Sequence, residues 1–274
     1  YTSSAASDVY KRQILIVGTN SDWETEGNDR LSLALPSNQD ELVQKICSAN
    51  NNTVVVLNTG SPCEMPWIDE ANSILQCWFP GQEFGNSLSD ILFGSVNPSG
   101  KLPTTFPKKL SDTPAYSTYP GKDLQMDYEE GLFIGYRWYD RENIEPLFAF
   151  GHGLSYTNFE YSNLRAVPPK NESSVAAFEL EVINKGKLYG KEIVQGYIRV
   201  KESNIERPIK ELKKFEKIGL EPGELKKIKF ELSERDLSYW SEKDQCWKVE
   251  PAEYIFEVGS SAKEIKDSAS VWLG

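Results

Sequence analysis

Three apolar runs in the first third of the chain have the pattern of buried β-strands. ILIVG at 14–18 is continuous and ends in Gly, as in a strand that is covered on both faces. TVVVLNTG at 53–60 and ILQCWF at 74–79 are further runs of the same kind. Because such runs are typical of parallel sheets, the pattern predicts three strands buried between layers.

Helical patterns alternate with these strands. LPSNQDELVQKICSAN begins near Ser37, which can cap a helix with Asp40 three residues on, and its apolar face is Leu42, Val43 and Ile46. PGQEFGNSLSDILFG predicts a second helix that ends at a Gly. This order of elements predicts part of a parallel sheet covered by helices, since three strands are few for a complete one.

The rest of the chain changes character twice. Residues 97–120 are rich in Pro, Gly, Ser and Thr and predict a long connecting loop or arm. After about Ser162 the runs become short and alternating, as in AAFELEVINKG and KEIVQGYIRV, and turns separate them. That pattern predicts a small antiparallel β-sandwich.

Composition narrows the classes of partner. Of the 274 residues, 39% are hydrophobic, which suffices for a packed core. The net charge of −11 disfavours a nucleic acid or an anionic membrane as partner, and we interpret it as a solubility feature. No run approaches the roughly eighteen apolar residues of a membrane helix. We therefore expect no nucleic-acid and no membrane partner.

The cysteines and the glycine pattern carry no cofactor signature. Cys47, Cys63, Cys77 and Cys246 lack the spacing of a metal site. They are either free thiols or two disulfides, and free, partly buried thiols are the favoured interpretation. Gly18 is not followed by the spacing of a dinucleotide loop. We expect no cofactor and no metal, and the compartment, secreted or cytoplasmic, stays open.

The first residues do not continue the strand pattern. YTSSAASDVYKRQ at 1–13 is small, polar and aperiodic, and the buried-strand pattern begins abruptly after it. It looks like a translated adaptor sequence, so we expect a non-native leader. The native part of the chain is then expected to begin in the middle of a longer protein.

The acidic loop, residues 19–36 (TNSDWETEGNDRLSLALP), holds the candidate chemistry. Asp22, Glu24, Glu26 and Asp29 fall within eight positions, although like charges repel. The loop follows a predicted parallel strand, and sites in open α/β sheets gather at the carboxyl ends of strands. Spacing alone favours a solvated loop whose turn is fixed by Asp29 and Arg30.

A set of motifs resembles glycoside hydrolase family 3, the β-glucosidase group. It includes WETEGNDR, NTGSPCEMPW, WFPGQEFGN, NPSGKLP, GYRWYD, FAFGHGLSYT, GKEIVQGYIRV, RPIKELK and EYIFEVGSS, in order. The resemblance covers nearly all of residues 14–260 and is to the C-terminal half of such enzymes. The implied fold class is α/β plus all-β, a partial parallel-sheet α/β sandwich domain followed by a fibronectin type III-like β-sandwich. The pattern and the resemblance together predict a non-native leader at 1–13, the α/β part at 14–106, an arm at 107–161 and the β-sandwich at 162–274.

The resemblance also implies roles. A preceding (β/α)8 barrel, absent from this chain, would carry the nucleophilic Asp and most sugar-binding groups. The acid/base is the Glu directly before the Gly of the WETEG motif, which is Glu26, with Glu24 as runner-up. SDW at 21–23 mimics the family's nucleophile signature, but Asp22 stands in the wrong place for that role. The expected substrate is a small oligosaccharide or an aryl or alkyl β-glucoside, and its binding residues are unassigned.

Chemistry supports a carboxyl group in that role. Retaining glycosidases use two carboxyl groups about 5–5.5 Å apart, one of them an acid that later acts as a base. The acid must hold its proton near neutral pH, which nearby negative charge favours. Asp22, Glu24 and Asp29 supply such charge, and Arg30 opposes it unless it is occupied. Gly27 would let the loop turn sharply.

Other candidates are interpreted as structural. His152, the only His, lies between glycines and is expected to be a packed turn residue. A cluster of rings is either a sugar platform or, as we favour, packing at the junction between the two domains. Its members are Tyr128, Phe133, Tyr136, Trp138 and Tyr139. Trp23 is either the floor of a sugar subsite or packing.

Two functions remain in view. The first is the C-terminal part of a retaining β-glucosidase, or a relative acting on another β-linked sugar, with Glu26 as acid/base and no activity without the barrel. The second is a non-catalytic α/β plus β-sandwich module that binds carbohydrate or protein.

Overall fold

The computed structural model describes residues 12–274, which form two compact units. The α/β unit comprises residues up to 92 together with 106–116. The sandwich unit comprises 93–105 together with 117–274. The predicted leader at 1–13 lies outside the described residues except for its last two, and the predicted domain boundaries stay a prediction.

A three-stranded parallel sheet organises the α/β unit. Its strands are β1 (Gln13–Gly18), β2 (Thr53–Asn58) and β3 (Ser73–Gln76), in the spatial order β1-β2-β3. The helices are α1 (Gln39–Ala49) and α2 (Phe84–Leu92). The strands and helices therefore lie where the apolar runs predicted them.

Strand β1 is less buried than its sequence predicts. Ile14 and Ile16 are 49% and 52% exposed, whereas Val55 and Val56 of the central strand β2 are completely buried. The prediction of a strand covered on both faces is therefore wrong for β1. The physical reason is its position at the sheet edge, where no layer of the described residues covers the face that holds Ile14 and Ile16.

Helix α1 begins differently from the predicted cap. Asn38 occupies the N-cap position without a side-chain hydrogen bond, and Ser37 has a left-handed φ of +56°. The carboxylate of Asp40 instead accepts hydrogen bonds from the Leu35 N–H (3.1 Å) and from Trp67 Nε1 (2.7 Å). Asp40 therefore ties the helix to neighbouring loops, and the predicted Ser37 cap is wrong.

The buried face of α1 is also rotated from the prediction. Val43 and Cys47 are buried, whereas Leu42 is 45% exposed. A spacing of four residues places Val43 and Cys47 on one stripe of the helix. A cysteine thus takes the inward position that the pattern assigned to leucine.

The sandwich unit holds two antiparallel sheets and a short hairpin. One sheet has the order β12-β11-β6-β7, the other β4-β5-β8, and β9 pairs with β10. The strands are β4 (Phe159–Val167), β5 (Ser174–Asn184), β6 (Gly190–Val200), β7 (Glu211–Leu220), β8 (Leu225–Ser233), β9 (Tyr239–Ser241), β10 (Cys246–Lys248), β11 (Ala252–Gly259) and β12 (Ile265–Leu273). The short helices are α3 (Tyr136–Arg141) and α4 (Glu234–Leu237). The predicted fold class is confirmed.

The core of the sandwich follows from alternation along its strands. Phe178 of β5 and Phe256 of β11 stack with ring centroids 4.5 Å apart, and both are fully buried. Phe230 of β8 packs against Phe256 at 5.7 Å. Alternate side chains of the two sheets thus meet face to face, as expected for a sandwich.

The ring cluster and the single histidine are mainly packing groups. Phe133 and Tyr139 are buried, Tyr136 stacks on Phe150 at 5.1 Å, and only Tyr128 is strongly exposed, at 74%. His152 stacks on a phenylalanine ring and sits in a hydrogen-bonded turn. Its predicted role as a packed turn residue is confirmed.

All four cysteines are free thiols. Cys47 and Cys63 are buried, Cys77 is half-buried and Cys246 is exposed. Burial, reinforced by the Asp40 carboxylate, raises the pKa of the Cys63 thiol to about 12. Among the described residues, no helix has both the length and the apolar character to cross a membrane.

Candidate active site

The acidic loop follows the carboxyl end of β1, and hydrogen bonds join the residues on either side of it. The Gly18 N–H donates to Gln39 Oε1 (2.8 Å), and Gln39 Nε2 donates back to the Gly18 carbonyl (2.9 Å). The Thr19 N–H continues the sheet by donating to the Asn58 carbonyl at 3.1 Å. The two ends of the loop are therefore held together at the sheet edge.

A compact turn opens the loop. Asn20 Oδ1 accepts hydrogen bonds from the N–H groups of Asp22 (3.0 Å) and Trp23 (3.1 Å). The Asn20 carbonyl accepts from the Glu24 N–H at 2.9 Å. Asn side chains commonly make such local turns. The turn fixes the backbone at Glu24.

Glu24 is the anchor of the loop. Its Oε1 accepts from Thr19 Oγ1 (2.6 Å), the Gly60 N–H (3.1 Å) and Ser61 Oγ (3.3 Å), and lies 3.9 Å from Arg30 Nη1. The side chain is only 16% exposed. A Cβ at Gly60 would stand 2.2 Å from Glu24 Oε2 and 2.6 Å from Phe79 Cε2, so a larger residue there would displace the Glu24 carboxylate and the Phe79 ring. The carboxylate of Glu24 thus links the acidic loop to the segment after β2.

Arg30 completes the anchor. Its Nη1 donates to Ser61 Oγ at 2.6 Å, and its side chain is 16% exposed. The guanidinium therefore sits against Glu24 and Ser61. This agrees with the loop-shaping role predicted for Arg30.

Glu26 differs from Glu24 in its exposure and in its contacts. It is exposed, and none of residues 12–274 makes a hydrogen bond or an ion pair with its carboxylate. The next residue, Gly27, has φ +88°, with open space where a Cβ would stand. The loop thus turns sharply beside the Glu26 carboxylate, which makes no hydrogen bond or ion pair with the described residues.

Several buried polar side-chain atoms near the carboxyl ends of the strands have no hydrogen-bond partner among the described residues. Within the described part of the chain, no hydrogen bond reaches Trp23 Nε1, Arg30 Nε and Nη2, Asn58 Oδ1 or Gln76 Oε1. Asn58 and Gln76 end the strands β2 and β3, so their side chains mark the carboxyl ends of neighbouring parallel strands. Such groups cost about 1–3 kcal/mol each when unpaired, and they are rare in native proteins.

Sequence reasoning found the acidic loop but not the residues opposite it. The carboxylate of Glu24 accepts hydrogen bonds from Thr19, Gly60 and Ser61. Ser61 is 37 positions away in sequence, and only the sheet brings it near Glu24. The rule that sites gather at strand ends would have pointed to the NTGS segment after β2. The spare groups of Asn58 and Gln76 were missed for the same reason.

Comparison with known proteins decides the family. Residues 1–156 match the glycosyl hydrolase family 3 C-terminal domain, and residues 192–262 match the fibronectin type III-like domain. The chain belongs to glycosyl hydrolase family 3. Within this family the match is to the C-terminal portion, so the resemblance inferred from the motifs is confirmed.

Relatives in family 3 carry β-glucosidase names. The thermostable β-glucosidase B of Acetivibrio thermocellus is 46% identical over 271 residues, which are 98% of this chain and 35% of the relative. A putative β-glucosidase of Schizosaccharomyces pombe is 47% identical over 92% of this chain and 30% of its own length. The chain therefore spans about a third of the length of these family 3 relatives.

Solved family 3 structures share the fold. The β-glucosidase of Kluyveromyces marxianus in complex with glucose has a TM-score of 0.89 and 41% identity, covering 95% of this chain and 31% of that one. The β-glucosidase of Bifidobacterium adolescentis has a TM-score of 0.91 and 39% identity, covering 96% of this chain and 39% of that one. Both cover the α/β part and the β-sandwich together.

Proposed function

We propose that this chain is the C-terminal portion of a retaining β-glucosidase and that Glu26 is its acid/base. One observation carries the choice of residue. Of the two glutamates in the WETEG motif, Glu24 is held by three hydrogen bonds, whereas the carboxylate of Glu26 is exposed and unoccupied by the described residues. A group that must exchange protons with a substrate needs that freedom.

The relatives support the class of reaction. They bear the name β-glucosidase, and one solved relative was obtained in complex with glucose. Because the chain spans about a third of such proteins, we place the nucleophilic carboxylate on a (β/α)8 barrel outside this chain. The proposed substrate is a terminal β-linked glucose of a small oligosaccharide or of an aryl or alkyl glucoside.

The proposed reaction has two steps. As the nucleophile forms its bond to the anomeric carbon, Glu26 gives its proton to the departing glycosidic oxygen, and the alcohol leaves. In the second step the Glu26 carboxylate takes a proton from water, whose oxygen attacks the glycosyl-enzyme and releases glucose. Glu26 is thereby protonated again and ready for the next turnover.

The charged neighbours of Glu26 within the acidic loop are Asp22, Glu24, Asp29 and Arg30. The cation of this loop, Arg30, bonds to Ser61 and faces Glu24. The anchor therefore directs the guanidinium toward Glu24 and Ser61.

A chimera tests the proposal. The chain replaces the matching region of the A. thermocellus β-glucosidase, and Glu26→Gln is compared with Glu24→Gln. We expect Glu26→Gln to lower kcat/KM for substrates with poor leaving groups by about 10²–10⁴-fold. Glucosides with activated leaving groups should suffer much less, and added azide should restore part of the turnover. The 274-residue chain alone should be inactive.

Glu24→Gln is the matched control, because it removes a charge two residues away. It should lower activity against both kinds of substrate alike, lack azide rescue and lower thermal stability. If Glu24→Gln shows the dependence on leaving group and Glu26→Gln does not, the assignment is wrong. Turnover by the chain alone that requires Glu26 would refute a nucleophile on the barrel.

A further inference from the structure

The sandwich unit contains a polar cavity of about 170 Å³, remote in sequence from the acidic loop. Its walls come from Lys101, from residues between 152 and 161, from Glu192 of β6 and from the turn between β11 and β12. At about 30 Å³ for each molecule in liquid water, the space holds roughly six waters or a compact organic molecule of similar bulk.

The charges in the wall are internally balanced. Lys101 Nζ lies 3.0 Å from Glu192 Oε1, and both side chains are almost buried, at 11% and 7% exposure. Beside this turn, Nζ of Lys266 in β12 lies 3.1 Å from Glu264 Oε2, which also accepts from Ser260 Oγ at 3.0 Å. Two cations thus face two anions. A ligand with a net charge would gain little and would disturb a buried pair.

Hydrogen-bonding capacity remains in the same wall. None of the described residues bonds to the ring nitrogens of His152, whose ring is held by stacking on Phe148 at 5.2 Å. Burial lowers the pKa of His152, so at neutral pH the ring offers one N–H donor and one acceptor nitrogen. Lys101 Nζ uses two of its three N–H groups, on Glu192 and on the Gly153 carbonyl (2.7 Å).

We propose that this cavity binds a small uncharged polyol or a monosaccharide, with His152 and Lys101 as its main hydrogen-bonding partners. A hydroxyl group both donates and accepts, which is what an uncharged imidazole beside an ammonium N–H and carboxylate oxygens requires. The absence of net charge in the wall argues against inorganic ions. The volume accommodates one sugar ring. This site is independent of the proposed catalytic role of Glu26.

A ligand here would connect distant segments of the sandwich unit. The wall joins the segment that contains Lys101, strand β6 and the turn before β12, and the ion pair between Lys101 and Glu192 links the first two. A molecule that binds the folded form and not the unfolded chain stabilises the fold in proportion to its affinity. The site would therefore make the stability of this unit respond to sugar concentration.

Titration by NMR tests the proposal on the 274-residue chain. D-glucose should cause saturable shifts of backbone amide signals in residues 152–161 and 260–266. His152→Phe keeps a ring to stack on Phe148 but removes both nitrogens, and we expect about tenfold weaker binding, as for the loss of one good hydrogen bond. Asn158→Trp places a bulky ring at the exposed rim and should abolish the shifts.

Tyr239→Phe is the control, since it removes one hydroxyl from a ring outside the cavity and should bind glucose unchanged. The proposal is overturned if glucose causes no saturable shift at these amides, or if Asn158→Trp binds as tightly as the parent. Binding of inorganic phosphate in preference to glucose would overturn the argument from charge balance. Should His152→Phe not fold, Asn158→Trp decides the outcome alone.

Discussion

The α/β unit and the sandwich unit bury their apolar side chains by different means. In the sandwich, alternate residues of two facing sheets interlock, and Phe178 and Phe256 are fully buried. In the α/β unit the strands are continuously apolar, and the edge strand leaves Ile14 and Ile16 about half exposed. An alternating strand needs one neighbouring layer, whereas a continuous one needs two. The two facing sheets of the sandwich therefore cover each other's apolar face, whereas the α/β unit presents a face suited to further packing.

Two asparagines show the same contrast for polar groups. Asn184 is fully buried, and both ends of its amide are occupied: it donates to the Leu188 and Leu220 carbonyls and accepts from Thr157 Oγ1 and the Gly186 N–H. Oδ1 of Asn58 is buried and has no partner in residues 12–274. All the hydrogen bonds of the Asn184 amide stabilise the fold, whereas Asn58 has an unused acceptor near the proposed active site.

The largest effect should come from the sandwich core. Phe256→Ala removes a ring that packs on two others and should lower the free energy of unfolding of this unit by about 3–5 kcal/mol. Urea unfolding measures the change. Phe215→Ala is the matched control, because that ring is 69% exposed and should cost less than about 0.5 kcal/mol. Equal losses in both variants would contradict a core in which the two sheets cover each other.

The two asparagines provide a second comparison. Asn184→Ala removes four hydrogen bonds, two of them buried, and should cost at least about 1–3 kcal/mol in urea unfolding. Asn58→Ala removes an acceptor that nothing in the described chain uses, so stability should stay the same or rise slightly. A large loss at Asn58 would show that its amide supports the fold and is not held in reserve.

Alkaline pH should weaken the α/β unit through Cys63. Because burial raises the pKa of this thiol from 9.0 to about 12, the folded state holds the proton more tightly than the unfolded chain does. The protonated Cys63 thiol therefore contributes fully to the free energy of unfolding below pH 9. This contribution is lost as the pH rises toward 12, by at most about 1.4 kcal/mol per pH unit.

Urea midpoints across this range test the slope. Cys63→Ala should flatten the decline, and Cys246→Ala, which removes an exposed thiol of the sandwich unit, should not. Identical slopes for the parent and Cys63→Ala would rule out the buried thiol as the cause.

The smallest change in stability should come from the exposed face of β1. Replacing Ile14 and Ile16 together by Thr keeps two β-branched residues in the strand and should change the unfolding free energy by less than about 1 kcal/mol. Self-association, followed by light scattering, should nevertheless fall, because exposed apolar edge strands promote aggregation. Unchanged association would point to another surface.

Local patterns predicted the elements, and three-dimensional contacts decided the details. Continuous apolar runs located β1, β2 and β3, and alternation located the sandwich. The cap at Ser37 failed because Asp40 is drawn to Leu35 and Trp67 instead. Whether Ile16 is covered depends on what packs against that face of β1, and local sequence does not encode that.

The candidate site was predictable only in part. Physical chemistry alone made the acidic loop a solvated turn, and the family resemblance singled out Glu26. The reason why Glu24 differs from it lies in Thr19, Gly60 and Ser61, which the parallel sheet brings together. No periodicity in the sequence connects these residues, so the distinction between anchor and free acid required the structure.

The paired hydrogen bonds between Gln39 and Gly18 have an evolutionary consequence. They clamp the base of the acidic loop independently of what the loop contains. With its base clamped, a surface loop tolerates insertions at a small entropic cost, since each doubling of length adds only about 0.6 kcal/mol. The tip of the loop can therefore vary in length among descendants of this chain while the sheet beneath stays as it is.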